Sequence, residues 1–280
     1  MRYVMGVSWP RSGHHMLVRL LSLYFGPAFR YCEFHVGHPT HPDIDHCCRT
    51  APCHHRDRIH FTKNHDFDLT LPQNPNQPYI IQYRDFAHSV VSEFETAVRA
   101  GGIDDLGAFR HHVSRQVGSY RGFINKWVTS DFACGQLVLR YEAVLANPQE
   151  MLKRVLRLFE PNTEPDLAKI AHAVANVDGQ KIERKEARRL VRSGVHAERN
   201  LQEFRYYDPA LFDQIDRLHL SRKDVQNTFA TYLGQPPKEE EMLEWQSYET
   251  VEHLAQHLVN ERKAKKRTFP FFPSRPKDNS

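Results

Sequence analysis

The sequence predicts an α/β chain: a central parallel sheet of four to five strands in a three-layer sandwich, followed by a helical C-terminal part. Three observations carry this reading. Four short apolar segments, at residues 2–9, 58–64, 79–84 and 136–142, have the character of buried strands. Helical patterns separate them, and strands alternating with helices build a parallel sheet covered on both faces. Beyond residue 161 the strand pattern does not recur.

The elements follow in chain order. "RYVMGVSW" runs through a turn into a helix whose apolar face is Met16, Leu17, Leu20, Leu21 and Tyr24, stopped by Gly26 and Pro27. Residues 31–57 form a His- and Cys-rich insert before the strands "RIHFTKN" and "YIIQYR". Phe86, Val90, Val91, Phe94 and Val98 make a second helical face. Leu106, Phe109, Val113, Val117, Tyr120, Ile124 and Trp127 make a third, with Asp104 expected as its N-cap. After the strand "QLVLRYE", Asn147-Pro148 opens a helix carrying Met151, Leu152, Val155, Leu156 and Phe159. Segments 165–175, 180–193, 208–233 and 238–264 read as helical. The economical division is one domain over residues 1–235, completed by a helix over 236–267. The basic, proline-containing end, 268–280, is expected to be disordered.

Composition narrows the partners. Thirty-eight Lys and Arg stand against 34 Asp and Glu, a net charge of +4 that suits an anionic ligand but not a nucleic-acid coat. No apolar run reaches the length of a membrane span. The first residues lack the basic-then-apolar pattern of a secretory leader, so a reducing cytoplasm and unpaired cysteines are expected. Cys32, His46, Cys47, Cys48 and Cys53 are zinc candidates by ligand type, though their spacing fits no regular zinc pattern; ordinary loop residues lining the acceptor cleft are the preferred reading, and redox-sensitive thiols a third.

Ligands of open parallel sheets sit beyond the carboxyl ends of the strands. The first strand ends in Trp9-Pro10-Arg11-Ser12-Gly13-His14-His15 and opens a helix. The backbone N–H groups and dipole at such a helix start favour an anion, and Arg11 adds a permanent forked charge. Met16 completes the first turn. The second strand ends in Lys63-Asn64-His65. Residues two apart in extended chain share a side, so a fixed cation and a base that titrates near neutral pH face one cleft. The third ends in Arg84, with Ser92 two turns into the next helix, a reasonable cradle for a second phosphate.

Taken in this order, the elements resemble the sulfotransferase family that uses 3′-phosphoadenosine 5′-phosphosulfate, whose fold is P-loop-NTPase-like. The resemblance extends through "VLRYEAVLANPQEMLKRVLRLF" and "VRSGVHAERN", covering residues 2 to about 233. It implies that Arg11, Ser12, Gly13, His14, His15 and Met16 hold the phosphosulfate, and that His65 is the catalytic base beside Lys63 and Arg11. It also implies that Arg84 and Ser92, with Arg192, Ser193 and Gly194, hold the 3′-phosphate, and that Tyr141 neighbours the adenine. The reaction implied is an in-line sulfuryl transfer to a hydroxyl or amine of a small molecule or glycan, with no metal required. His14 and His15 depart from the family's two hydroxyl residues, Asn64 from its threonine and Ser193 from a lysine.

Two other classes compete. A P-loop kinase or NTPase would need a loop Lys followed by Ser or Thr and an acid for Mg²⁺; Asp85 and Glu142 are the available acids, but the loop lacks its lysine. A metal- or polyanion-binding protein without catalysis leaves the pairing of Lys63 with His65 unexplained.

Overall fold

A computed structural model of the chain describes residues 1–34, 39–177 and 200–268. Five strands pair in parallel in the order β2-β3-β1-β4-β5. They are β1 (Val4–Ser8), β2 (Tyr31–Glu33), β3 (Phe61–Asn64), β4 (Tyr79–Tyr83) and β5 (Leu137–Arg140). Every residue of β1 is buried, as a strand between two neighbours and two helical layers must be. The upper end of the expected range is met by β2, which lies inside the His/Cys-rich insert, where three residues, one of them Cys32, carry no strand pattern of their own.

Helix α1 (His14–Phe25) crosses from β1 to β2, and the chain doubles back at Gly26. Helices α2 (Phe86–Arg99), α3 (Leu106–Phe123) and the short α4 (Asp131–Cys134) lie between β4 and β5. After β5 come α5 (Tyr141–Ala146), α6 (Pro148–Phe159) and α7 (Leu167–Asn176). Asn147 caps α6 by accepting from the Glu150 N–H, with Pro148 just inside. The cap of α3 is Asp105, which accepts from the Ala108 N–H, and not Asp104. Asp104 is drawn outward instead by Arg205 and by the Tyr206 hydroxyl, 2.7 Å from its carbonyl oxygen.

Strand alternation divides the core. Val4, Phe61 and Ile80 face α1, α6 and α7, while Met5, Val7, Tyr79 and Ile81 face α2 and α3. That is the three-layer arrangement. The C-terminal part is helical but more broken than its apolar pattern suggests. It comprises α8 (Pro209–Asp216), α9 (Arg222–Leu233), α10 (Met242–Gln246) and α11 (Val251–Thr268). Ser221 starts α9 as an N-cap, accepting from the Asp224 N–H, and Gly234 stops it. Gln246 ties this part to α3, its amide donating to Ser114 O at 3.0 Å. The expected helix at 180–193 and the end 269–280 lie outside the described residues.

Candidate active site

Of the residues singled out in the sequence, the 11–16 turn, Lys63, His65 and Arg84 lie at or just past the carboxyl ends of β1, β3 and β4, Ser92 lies in α2 and Tyr141 directly follows β5. The turn after β1 is pinned to the sheet. Ser12 Oγ lies 2.6 Å from Trp9 O and 3.2 Å from Gln82 O and shares its proton between them, so this hydroxyl holds the loop to the sheet. Arg11 and Gly13 both take left-handed backbone, with φ of 64° and 84°. For Arg11 that conformation is costly and is of the kind found where a loop is shaped for function. Gly13 has a second constraint: a Cβ there would lie 2.3 Å from the Tyr141 ring. Helix α1 begins at His14, so the N–H groups of His14, His15 and Met16 lack an acceptor within the helix. Acidic residues are absent from this first turn, leaving the positive end of the dipole uncompensated there.

The two histidines diverge. His14 turns under the loop and stacks on Phe61, with ring centroids 5.1 Å apart, and its polar side-chain neighbour is Gln82. Burial, followed by the charge of Lys63, holds it well below the ordinary histidine pKa, so it is a neutral core residue. The expectation of a donor side chain at His14 is therefore corrected, and only its backbone can serve an anion. His14, Leu17 and Leu21 are one helical face (spacing three and seven), the signal that could have placed it inward. Met16 likewise spends its side chain in the core. His15 points out. It is lowered by burial and by Lys63, hence neutral, and its Nε2 accepts from Lys63 Nζ at 3.4 Å.

Lys63 donates to Glu33 Oε1 at 2.6 Å. Sheet register explains the pair, because Glu33 of β2 stands level with Lys63 of β3. Burial alone would raise Glu33, but the hydrogen bond and charge of Lys63 outweigh it and hold the carboxylate below its usual range. Sequence reasoning missed Glu33, since nothing marked β2. His65 Nδ1 lies 2.6 Å from the Ser8 carbonyl oxygen. A carbonyl only accepts, so Nδ1 carries a proton directed at Ser8. The Phe67 ring, 54% exposed, stands 5.2 Å from that imidazole and offers an apolar surface beside it.

Directly after His65 comes a buried clamp. Asp66 accepts from the Leu71 N–H at 2.7 Å, Trp127 Nε1 at 2.7 Å and Lys126 Nζ at 2.8 Å. Lys126 and Trp127 sit on a wide π turn at residues 124–128 that continues α3.

On the other flank, Arg84 lies over the Tyr141 ring, 4.5 Å from its centroid, and donates to Glu142 Oε1 at 3.2 Å. Tyr141 thereby bridges Gly13 and Arg84. Arg11 Nε donates to Ser92 Oγ at 2.9 Å. Residues expected at two separate phosphates thus touch in this arrangement. Arg192, Ser193 and Gly194 lie outside the described residues.

Among the described residues, Cys32, His46, Cys47, Cys48 and Cys53 do not bring three ligand atoms within 4.8 Å of one another, whereas Asp85, His88 and Glu142 do. The thiols are thus not a preassembled tetrahedral zinc set. At the acidic group two cations are already seated: Arg140 pairs with Asp85 and Glu142, and Arg84 with Glu142. No described helix is long and apolar enough to cross a membrane.

No family model and no curated protein sequence matches the chain. Among solved structures it is similar to mouse sulfotransferase SULT7A1 complexed with PAP, with 14% identity over 76% of this chain and 83% of that one and a TM-score of 0.49.

Proposed function

We propose that the chain is a sulfotransferase, moving a sulfuryl group from 3′-phosphoadenosine 5′-phosphosulfate to an acceptor hydroxyl or amine, with His65 as the general base. The observation that carries the reading is the hydrogen bond between His65 Nδ1 and the Ser8 carbonyl oxygen. Its Nδ1 proton is directed at the Ser8 carbonyl, and in the neutral ring Nε2 is then the nitrogen able to accept a proton, near the Lys63–Glu33 pair. A base so oriented beside a buried cation is what proton removal from an acceptor requires.

The donor, when bound, supplies an activated sulfuryl group on a phosphate leaving group. The backbone of residues 13–16 and Arg11 would hold its phosphosulfate, and Arg84 with Ser92 its 3′-phosphate. Lys63 would neutralise charge on the departing oxygen, acting in a preorganised site where little water must be reordered. Tyr141, wedged between Gly13 and Arg84, would flank the adenine. Phe67 gives the acceptor an apolar wall next to the base.

Calorimetry with 3′-phosphoadenosine 5′-phosphate and with ATP·Mg²⁺ tests the reading. Micromolar binding of the first and no comparable binding of the second is expected. Equal binding of both would favour a kinase-like site built on Asp85, His88 and Glu142, the reading that the pairing with Arg84 and Arg140 speaks against. His65→Ala is expected to lower turnover by about 10²–10⁴ with nucleotide affinity unchanged; a variant with full activity would remove His65 from the mechanism.

A further inference from the structure

Outside this site the structure gathers thiols under the β2–β3 edge. Cys32 and Cys53 are buried, while Cys47 and Cys48 are half-buried. Cys48 Sγ lies 3.6 Å from Cys53 Sγ, in van der Waals contact. The two are made unequal by their partners. Cys48 Sγ lies 3.0 Å from Thr50 Oγ1 and accepts from the His54 N–H at 3.4 Å. Burial would raise this thiol, but those hydrogen bonds outweigh it and leave Cys48 below its ordinary value. Cys53 has the opposite setting, 3% exposed and pushed up by burial to about 12. One sulfur is suited to be a thiolate that solvent can reach, and the other a protonated thiol waiting behind it.

We propose that Cys48 and Cys53 are a peroxide-sensitive modification site that closes to an intramolecular disulfide. The Cys48 thiolate attacks a peroxide oxygen; the O–O bond breaks, hydroxide leaves and Cys48 becomes a sulfenic acid. The Cys53 sulfur then attacks the Cys48 sulfur, loses its proton and expels the hydroxyl as water. Two thiols are oxidised, one peroxide is reduced, and two waters form in all. The site is wired to the sheet, because the Cys53 N–H donates to Tyr3 Oη at 3.3 Å and Tyr3 Oη meets Thr62 Oγ1, beside Lys63, at 2.8 Å.

The test uses the full chain carrying Cys134→Ser, which removes the exposed thiol. Dilute reduced protein is treated with one equivalent of hydrogen peroxide, alkylated and read by intact and tandem mass spectrometry. Expected are loss of two hydrogens, a linked Cys48–Cys53 peptide and reversal by dithiothreitol. Cys53→Ser should give no link and a dimedone adduct on Cys48. If that variant does not fold, Cys48→Ser, at the half-buried position, should leave Cys53 unreactive. Thiols that stay reduced, a link through Cys32 or Cys47, or peroxide-reactive Cys53 in Cys48→Ser would each overturn the proposal. The readout is mass, so it is independent of whether the protein transfers sulfate.

Discussion

Gly13 shows how one atom can decide a site. Its φ of 84° and a Cβ position 2.3 Å from the Tyr141 ring mean that Gly13→Ala must both strain the loop and push the aromatic ring toward Arg84. We expect a loss of about 1–3 kcal/mol in stability from the backbone conformation, and a larger fractional loss of nucleotide affinity, read by thermal melting and calorimetry. Unchanged nucleotide binding in Gly13→Ala would show that the Gly13–Tyr141–Arg84 contact is incidental. At this scale the sequence was informative about backbone and poor about direction. The turn after the first strand, Lys63-x-His65 and Arg84 could be read as a cationic cleft because a strand end and a helix start dictate where such residues sit. The divergence of His14 and His15 is a rotation of one residue about the helix, visible only in the face shared with Leu17 and Leu21. Glu33 needed the register of a strand that no local pattern announced.

Between β3 and β4 the chain depends on the clamp that follows the base. Non-glycine backbone at Asp66 and Leu69 has φ of 48° and 58°, and the Asp66 carboxylate holds this turn by its three donors. Asp66→Ala would leave Lys126 without its counter-charge and Trp127 without an acceptor. Breaking such a pair costs about 3–5 kcal/mol, which urea denaturation should read. Because the turn carries His65 into the cleft, turnover should fall even where the protein remains folded. If stability and rate both survive, the base is positioned by the Ser8 carbonyl alone. The clamp could not be read from the sequence, since it joins residues about sixty positions apart through a π turn. Elements with long apolar periodicity, α1, α2, α3 and α6, were legible. The C-terminal helices were legible as apolar pattern but not in their breaks.

Across the whole molecule, desolvated histidines set a pH response. His14, His15, His60, His88 and His112 are all lowered, each chiefly by burial, His112 to about 4. A histidine lowered in the folded state binds fewer protons than the unfolded chain once pH falls below its ordinary value of about 6.5. Stability should therefore decline from that pH downward until the folded values are reached. Glu93 and Asp216, raised by burial, act in the opposite sense, contributing stability as pH falls through their raised folded values. Melting temperature is expected to be lower at pH 5 than at pH 7.5, with a smaller drop in His14→Phe. A flat or rising profile would contradict the burial of these rings. The strand order has a consequence for synthesis. β1 lies at the centre of the sheet, yet its neighbours are β3 and β4, and β2 joins the sheet through β3. Residues 9–60 must be made before β1 meets a partner, on the order of 3–10 s at ribosomal rates of roughly 5–20 residues per second. For that interval a strand destined to be buried on both faces is without the two neighbours that will cover its edges, an exposure of apolar surface set by strand order alone.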